Sequence, residues 1–196
     1  MTTPEREPLI RRVLGQNYLQ LSLQKLSIDE DPSDGASVKV TVNEGEQSSA
    51  IEGKGVGVVD ALWTGLLDRY AREYGSLKTI QLVSFQVGAD MDTKKAQAGV
   101  DAIGRVTLDV TNSEGRHFTF SDASRSVTTS TARAVVACVQ YFVNAERAFL
   151  TLHNARRDAL ARGREDLVAR YTAEMAEVVK ETSYAEVIAN IRKELG

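Results

Sequence analysis

The sequence predicts an α+β fold: two β-β-β-α units related by a pseudo-two-fold axis, followed by a C-terminal helical extension. Three observations predict it. The alternating segment Val38-Lys39-Val40-Thr41-Val42-Asn43-Glu44-Gly45 is echoed at Val106-Thr107-Leu108-Asp109-Val110-Thr111-Asn112-Ser113-Glu114-Gly115. Each copy follows an earlier strand-like run and leads through another extended run into a helix with an apolar face. Beyond Leu150 strand signals stop, and charged, Ala- and Arg-rich sequence takes over. Self-similarity of this kind decides architecture, and ligand pockets favour places where halves or subunits meet. The organisation expected is a lead-in over 1–16, a duplicated domain over 17–150 and a helical extension over 151–196.

The lead-in carries only a short helical turn, at Leu9-Ile10 and Val13-Leu14. From Tyr18 through Leu19, Leu21, Leu23, Leu26 and Ile28 the pattern is that of a half-buried strand. Asp31-Pro32-Ser33-Asp34-Gly35 is a turn by mechanism: Pro presets φ, Gly supplies positive φ, and Asp caps its own backbone. Val38, Val40 and Val42 form the next strand; Asn43-Glu44-Gly45-Glu46 turns the chain back through Gln47 to Ile51. After Gly53-Lys54-Gly55-Val56-Gly57, residues Val59, Leu62, Trp63, Leu66, Leu67, Tyr70 and Tyr74 fall at helical spacing, with Gly75 placed as a C′ glycine.

The second half repeats the plan. Ile80, Leu82, Val83, Phe85 and Val87 form a strand, and Gly88 to Gly99 a long polar loop. Ile103 to Val110 is the next strand, and Glu114-Gly115 turns into His117, Phe118 and Phe120. Thr128, Thr129, Ser130 and Thr131 are N-cap candidates for a helix whose apolar face is Ala134, Val135, Cys138, Phe142, Ala145 and Phe149. In the extension, Leu152, Ala155, Ala159 and Leu160 continue a stripe up to Gly163. Leu167, Val168, Tyr171, Met175, Val178 and Val179 make another. Ser183 and Glu186 have capping-box spacing before a last helix. The extension is expected to pack back on the domain or on a second subunit.

Composition narrows the function classes. A net charge of −3 offers no general basic field for nucleic acid. No apolar run approaches the roughly 20 residues that span a bilayer, and the single cysteine, Cys138, excludes an internal disulfide. A cytoplasmic location fits. The glycine stretch satisfies neither G-x-G-x-x-G nor the P-loop pattern. It reads either as a turn whose backbone must approach something closely, or as the same loop also touching a small ligand through helix N-terminal amides. His117 and His153 lie far apart, so no zinc spacing exists; Asp29-Glu30-Asp31 and Asp90-Met91-Asp92 read as solvated loop charge. Cys138 sits on an apolar face and behaves as a small hydrophobe. No base is placed beside a nucleophile. No catalytic residue, metal ligand or cofactor is therefore expected, and the chain reads as a non-enzyme. The arginines at 156, 157, 162 and 164 alternate with acids and read as a solvated helical face.

Several motifs carry a resemblance. Gly55-Val56-Gly57-Val58-Val59-Asp60-Ala61 resembles Gly-Asn-Gly-Pro-Val-Asp-Ala at the first helix of the C-terminal regulatory (allosteric, dimerisation) domain of 2-isopropylmalate synthase and citramalate synthase. Ile80-Gln81-Leu82-Val83-Ser84-Phe85-Gln86-Val87 resembles that family's fourth strand, with Ser84 and Phe85 where Asp and Tyr are common. Val100-Asp101-Ala102-Ile103-Gly104-Arg105-Val106 resembles its Thr-Asp-Ala-Leu-Gly-Glu-Val. Ser126-Val127-Thr128 resembles its Gly-Val-Ser-Thr-Asp, without the Asp. The resemblance covers roughly 17–150 and excludes the catalytic barrel, which needs about 250 residues. It implies two β-β-β-α units, a homodimer, and a small amino-acid or carboxylate effector of the kind that regulates leucine biosynthesis. It also implies an effector site at Gly57, Val59, Leu82, Phe85, Ala89, Asp101, Ala102 and Ile103, with a separate catalytic subunit or another protein as partner. The alternative reading is a dimerisation and protein-interaction module that keeps the scaffold without the effector. Val56 and Val58 in place of Asn and Pro, and the longer loop after Val87, are where this chain departs from the family.

Overall fold

The computed structural model describes residues 4–90 and 103–182. Six strands form two three-stranded antiparallel sheets. β1 (Leu21–Asp31), β2 (Gly35–Glu44) and β3 (Gln47–Gly55) make the first, in that order. β4 (Gln81–Asp90), β5 (Ile103–Thr111) and β6 (His117–Ser124) make the second. Helix α1 (Glu7–Leu14) precedes the first sheet, α2 (Val58–Tyr70) follows it, and α3 (Val127–Ala161) and α4 (Glu165–Val178) follow the second.

The duplication extends to register. Leu23, Leu26 and Ile28 of β1 lie opposite Val42, Val40 and Val38. Leu82, Phe85 and Val87 of β4 lie opposite Val110, Leu108 and Val106. Both first strands shift register at the same place, between Leu23 and Lys25 and between Leu82 and Ser84. A bulge inserts one residue, so the apolar row continues on the same face after a spacing of three instead of two. Val38, Val40, Val42, Val106, Leu108 and Val110 are all buried. They form the central stripe of each sheet, against which the helices pack.

In the first unit, strand and helix meet backbone to backbone. The glycine stretch is no loop: β3 continues through Gly55. A Cβ built on Gly53 would lie 2.0 Å from the Ala61 carbonyl oxygen and 2.9 Å from the Cα of Gly65. Gly53 and Gly65 thus form a contact that neither could make with a side chain, as the close-approach reading of this stretch requires.

Several elements differ from expectation. The lead-in contains a two-turn helix, α1, with Ile10 and Leu14 buried. Pro8 sits in its first turn, where the missing N–H breaks no helical bond. β1 starts at Leu21 rather than Tyr18 and runs on to Asp31. The next turn forms as expected, with Ser33 N donating to Asp31 Oδ1 at 2.7 Å and Gly35 at φ 86°. Helix α2 ends at Tyr70, and Gly75 opens a 3₁₀ turn (Gly75–Thr79) instead of capping the helix. Glu146 of α3 holds that turn, accepting from Ser76 N at 3.0 Å and Ser76 Oγ at 2.5 Å. Gly88 to Asp90 belong to β4 rather than to a loop; the rest of the expected loop and the expected last helix lie outside the described residues.

Helix α3 runs unbroken past Leu150 for 35 residues. Its N-cap is Ser126, not the Thr128–Thr131 cluster: Ser126 Oγ accepts from Thr129 N at 3.2 Å. It ends in a Schellman motif. Arg164 N donates to Ala159 O, Gly163 N donates to Leu160 O, and Gly163 has φ 66°. Reversed there, α4 packs back along α3, with Tyr171, Met175 and Val179 against the core. The turn after α4 reaches the second sheet. Asn112 Nδ2 donates to Lys180 O and Thr182 O, and Tyr141 Oη donates to Glu181 at 2.6 Å. Arg164 pairs with Asp166 and Arg162 with Asp158, whereas Arg156 of α3 donates across to Thr172 of α4.

Helix α3 joins the two units. It packs on β5 and β6, and also on α1, α2, α4 and β1. Phe118 and Phe120 meet Tyr141 and Phe142 across it, Phe118 edge-on to Phe142 at 5.0 Å. Cys138 is fully buried there, and burial pushes its thiol well above the ordinary range.

Two predictions follow from this packing. Gly53→Ala should destabilise the protein by about 1–3 kcal/mol or more, because backbone must move to admit the methyl group. Gly57→Ala, at an extended φ of −164° with nothing within 4 Å of its Cβ, should stay within about 0.5 kcal/mol; urea denaturation of both variants checks the contrast. The second concerns pH. Burial, then the Glu7 carboxylate to which it donates, push the Tyr18 hydroxyl from 10.0 up to about 12. A folded-state value above the unfolded one gives stability that is complete below pH 10 and lost as pH rises through about 12. Tyr18→Phe should flatten that loss when urea midpoints are followed across this window.

Candidate functional site

The sequence-derived site residues fall into two groups on different units. Gly57 and Val59 sit at the start of α2, Gly57 as N-cap and both half-buried. No side chain caps this helix start. Asp60 Oδ2 accepts from Val56 N at 3.0 Å, and Ala61 N donates to Gly57 O at 2.9 Å. Asp60 also faces a shallow acidic cleft with Asp29, Asp31 and Asp34, relieved by Lys54. A carboxylate approaching these amides meets that negative field, which weighs against the helix dipole. Val56 stands 91% exposed where an ordinary apolar side chain would be buried.

The second group lies on the edge strand β4 and its partner. Leu82 and Phe85 share the sheet face that carries the buried Val110 and Leu108. Phe85 is half-buried and packs on the core; Leu82 is 38% exposed. Ala89 lies opposite Gly104, continuing the same row along the backbone. Ile103 opens β5 opposite Asp90, and the alternation of β5 places it on the other face from the buried row, 49% exposed. Asp101 and Ala102 lie outside the described residues.

The structure thus gathers Leu82, Phe85 and the Ala89 backbone into one row, and leaves Gly57 and Val59 apart from them. The principal contacts of α2 are β2, β3, the 3₁₀ turn and α3, whereas those of β4 are with β5.

The geometry also adds residues that the sequence reading left out of the site. Val83 and Val87 on β4 are each 52% exposed, and Val127 at the start of α3 is 38% exposed. Val127 approaches β5, its Cγ2 lying 2.8 Å from where a Cβ of Gly104 would stand. Leu82, Phe85 and Val87 make an apolar strip along the β4 margin of the second sheet, with Val127 of α3 beyond the Gly104 end of that sheet. The signal was present in the sequence. Leu82 to Phe85 is a spacing of three inside an alternating strand, which marks the bulge and keeps Val87 on the same face as Phe85. Uncovered apolar strips of this kind mark interaction surfaces.

The opposite face of the second sheet is polar and internally tied. Asp109 accepts from Thr119 Oγ1 at 2.6 Å and from Ser84 Oγ at 2.7 Å, bridging all three strands. These two bonds hold its carboxyl below the usual range. Among the described residues no group of three or more His, Cys, Asp or Glu side chains could hold a metal ion. Nor is any described helix long and apolar enough to cross a membrane.

Comparison with known families agrees with this architecture. The model of the LeuA allosteric (dimerisation) domain matches residues 2–143, from before α1 to the middle of α3. No match is found among curated proteins. With most of its length matched, from the first β-β-β-α unit through the second sheet and the first half of its helix, the chain belongs to the LeuA allosteric (dimerisation) domain family.

Proposed function

We propose that this chain is a dimeric regulatory module that binds a small amino acid or related carboxylate and carries no catalytic chemistry of its own. The observation that supports this best is the apolar strip of Leu82, Phe85 and Val87. It is continuous with the buried row of β5, lies at the edge of its sheet, and has no cover within the described chain. A second copy covers the strip, and its α2 start brings Gly57 and Val59 toward Leu82, Phe85 and Ala89. Asp101, Ala102 and Ile103 are the further effector positions that the family resemblance implies. Apolar residues there bury a branched side chain at about 0.8 kcal/mol per methylene. The target of regulation is an enzyme of leucine biosynthesis, held as a separate catalytic subunit, and the compartment is the cytoplasm.

A second reading has its own support. Helix α3 continues well past the family match at 143, and α4 folds back on it. A module that keeps the scaffold and uses this added helical surface for a protein partner, without an effector, would look the same over residues 4–143.

The two readings separate in a thermal melt with leucine, isoleucine and valine. A ligand at 100 times its dissociation constant should stabilise by about 2.7 kcal/mol, and Phe85→Ala should abolish the shift. No shift with any of the three at millimolar level overturns the effector reading and leaves the interaction module. Sedimentation should show a dimer that Val87→Glu converts to monomer; a wild-type monomer overturns the dimer.

A further inference from the structure

A groove separates the two units on the side away from β4. It lies between α1, the start of β1, the outer edge of β6 and α3, and encloses about 500 Å³. That volume falls in the range of small-molecule sites. Leu23, Phe120, Val136 and Ala137 give it an apolar floor, and Asp122 and Arg133 give it charges of both signs.

These two charges are poorly committed. Asp122 Oδ2 is buried and accepts no hydrogen bond. Its ion pair with Arg133 is loose, at 4.0 Å, and is the only one for either residue among the described residues. Arg133 is half-exposed and keeps its donors for solvent or a ligand. The other polar groups around the groove are engaged. Arg11 pairs with Glu7 and lies over the Tyr18 ring at 4.0 Å. Gln140 Oε1 accepts from Leu21 N at 2.7 Å, and its Nε2 donates to Tyr18 Oη at 3.3 Å. A buried carboxylate oxygen without a donor is costly, and this one lines a cavity that has room for a donor.

The duplication matches Asp122 with a glycine of the first unit. Asp122 lies opposite Val106 in the second sheet, where Gly53 lies opposite Val38 in the first. At Gly53 the absent side chain lets α2 close onto β3. At the equivalent register position of the second sheet the side chain is a carboxylate, and it lines the groove.

We propose that this groove binds a small zwitterion with an aliphatic body. Its ammonium group donates to Asp122, its carboxylate accepts from Arg133, and its carbon chain lies on Leu23, Phe120 and Val136. The site is independent of the strip on β4 and takes its ligand within a single chain.

L-norleucine, n-pentylamine and hexanoate are suitable probes, because they present both charges, the ammonium alone and the carboxylate alone on similar aliphatic chains. Titrated into the full chain and followed by amide NMR, norleucine should shift Val136 and Ala137. Asp122→Asn, which keeps the side-chain size, should weaken norleucine by about tenfold or more, in line with losing one partner of a charge pair, and should abolish pentylamine binding. Arg133→Gln, at an exposed position that folding tolerates, should weaken norleucine and hexanoate and spare pentylamine. Phe85→Ala should leave the Val136 and Ala137 responses to all three unchanged, which separates this site from the effector pocket proposed above. The proposal is overturned if none of the probes shifts these amides at about 10 mM, the weak end of small-ligand affinity. It is also overturned if Arg133→Gln leaves norleucine affinity unaltered, or if Phe85→Ala removes the response.

Discussion

The fold depends on two amide side chains of α3 that hold the incoming end of β1. Asn144 Oδ1 accepts from Leu19 N, and Asn144 Nδ2 donates to Leu19 O, both at 2.8 Å. One turn earlier, Gln140 accepts from Leu21 N. A helix here serves as the hydrogen-bonding neighbour that the first strand lacks on its free edge. Asn144 is fully buried and its second amide hydrogen goes to Gln140 O at 2.9 Å. Each backbone group left without its partner would cost about 1–3 kcal/mol. The helix of the second unit is thus fastened to the sheet of the first. The groove above it, the seat of α1 and the separation of the two sheets all follow from where these residues lie along α3.

Duplication sets the frame, and single residues then make the halves different. The register, the bulges and the buried valine-rich stripes are shared. The helices are not. Gly53 and Gly65 let α2 lie on β3 in backbone contact, whereas the equivalent register position in the second sheet is Asp122, which lines the groove. Their starts differ as well. Asp60 reaches back to Val56 N at the first helix, and Ser126 reaches forward to Thr129 N at the second. Only the second of these caps its helix; α2 has no side-chain cap.

What the sequence reveals of this fold is whatever repeats. Strand alternation, the echoed segment, the helical stripes and the family motifs all rest on periodicity or local composition, and they carry the fold class and the candidate strand β4. The close approach at Gly53 was also readable, since glycines alternating along a strand mean a missing row of side chains. The clasp of Asn144 and Gln140 was not. It joins positions more than a hundred residues apart through polar side chains on an otherwise apolar helix face, and no local pattern announces it. Helix α1 was obscured by its two-turn length and by Pro8, which reads as a breaker unless the first turn is known. The uncommitted pair at Asp122 and Arg133 depends on which groups are already satisfied, and that is a property of the assembled structure.

The width of a sheet and the width of a helix give the physical case for the proposed homodimer. Three strands at about 4.8 Å spacing present a face roughly 10 Å across between the outer backbones, plus the side chains beyond them. One helix, about 10 Å in diameter with its side chains, covers two strands well and leaves the third to another element. In the first unit α2 covers β2 and β3, and β1 meets α3, which keeps Leu21 buried and Leu23, Leu26 and Ile28 half-buried. In the second unit α3 covers β5 and β6. The counterpart that should serve β4 is α2, but it stops at Tyr70 and turns into the 3₁₀ segment held by Glu146. The equivalent apolar row on β4 therefore stays open at Leu82 and Val87. The strand without a cover also carries Leu82 and Phe85, two of the positions proposed above for the effector. Under the proposed homodimer, closing the strip and building the pocket become one requirement.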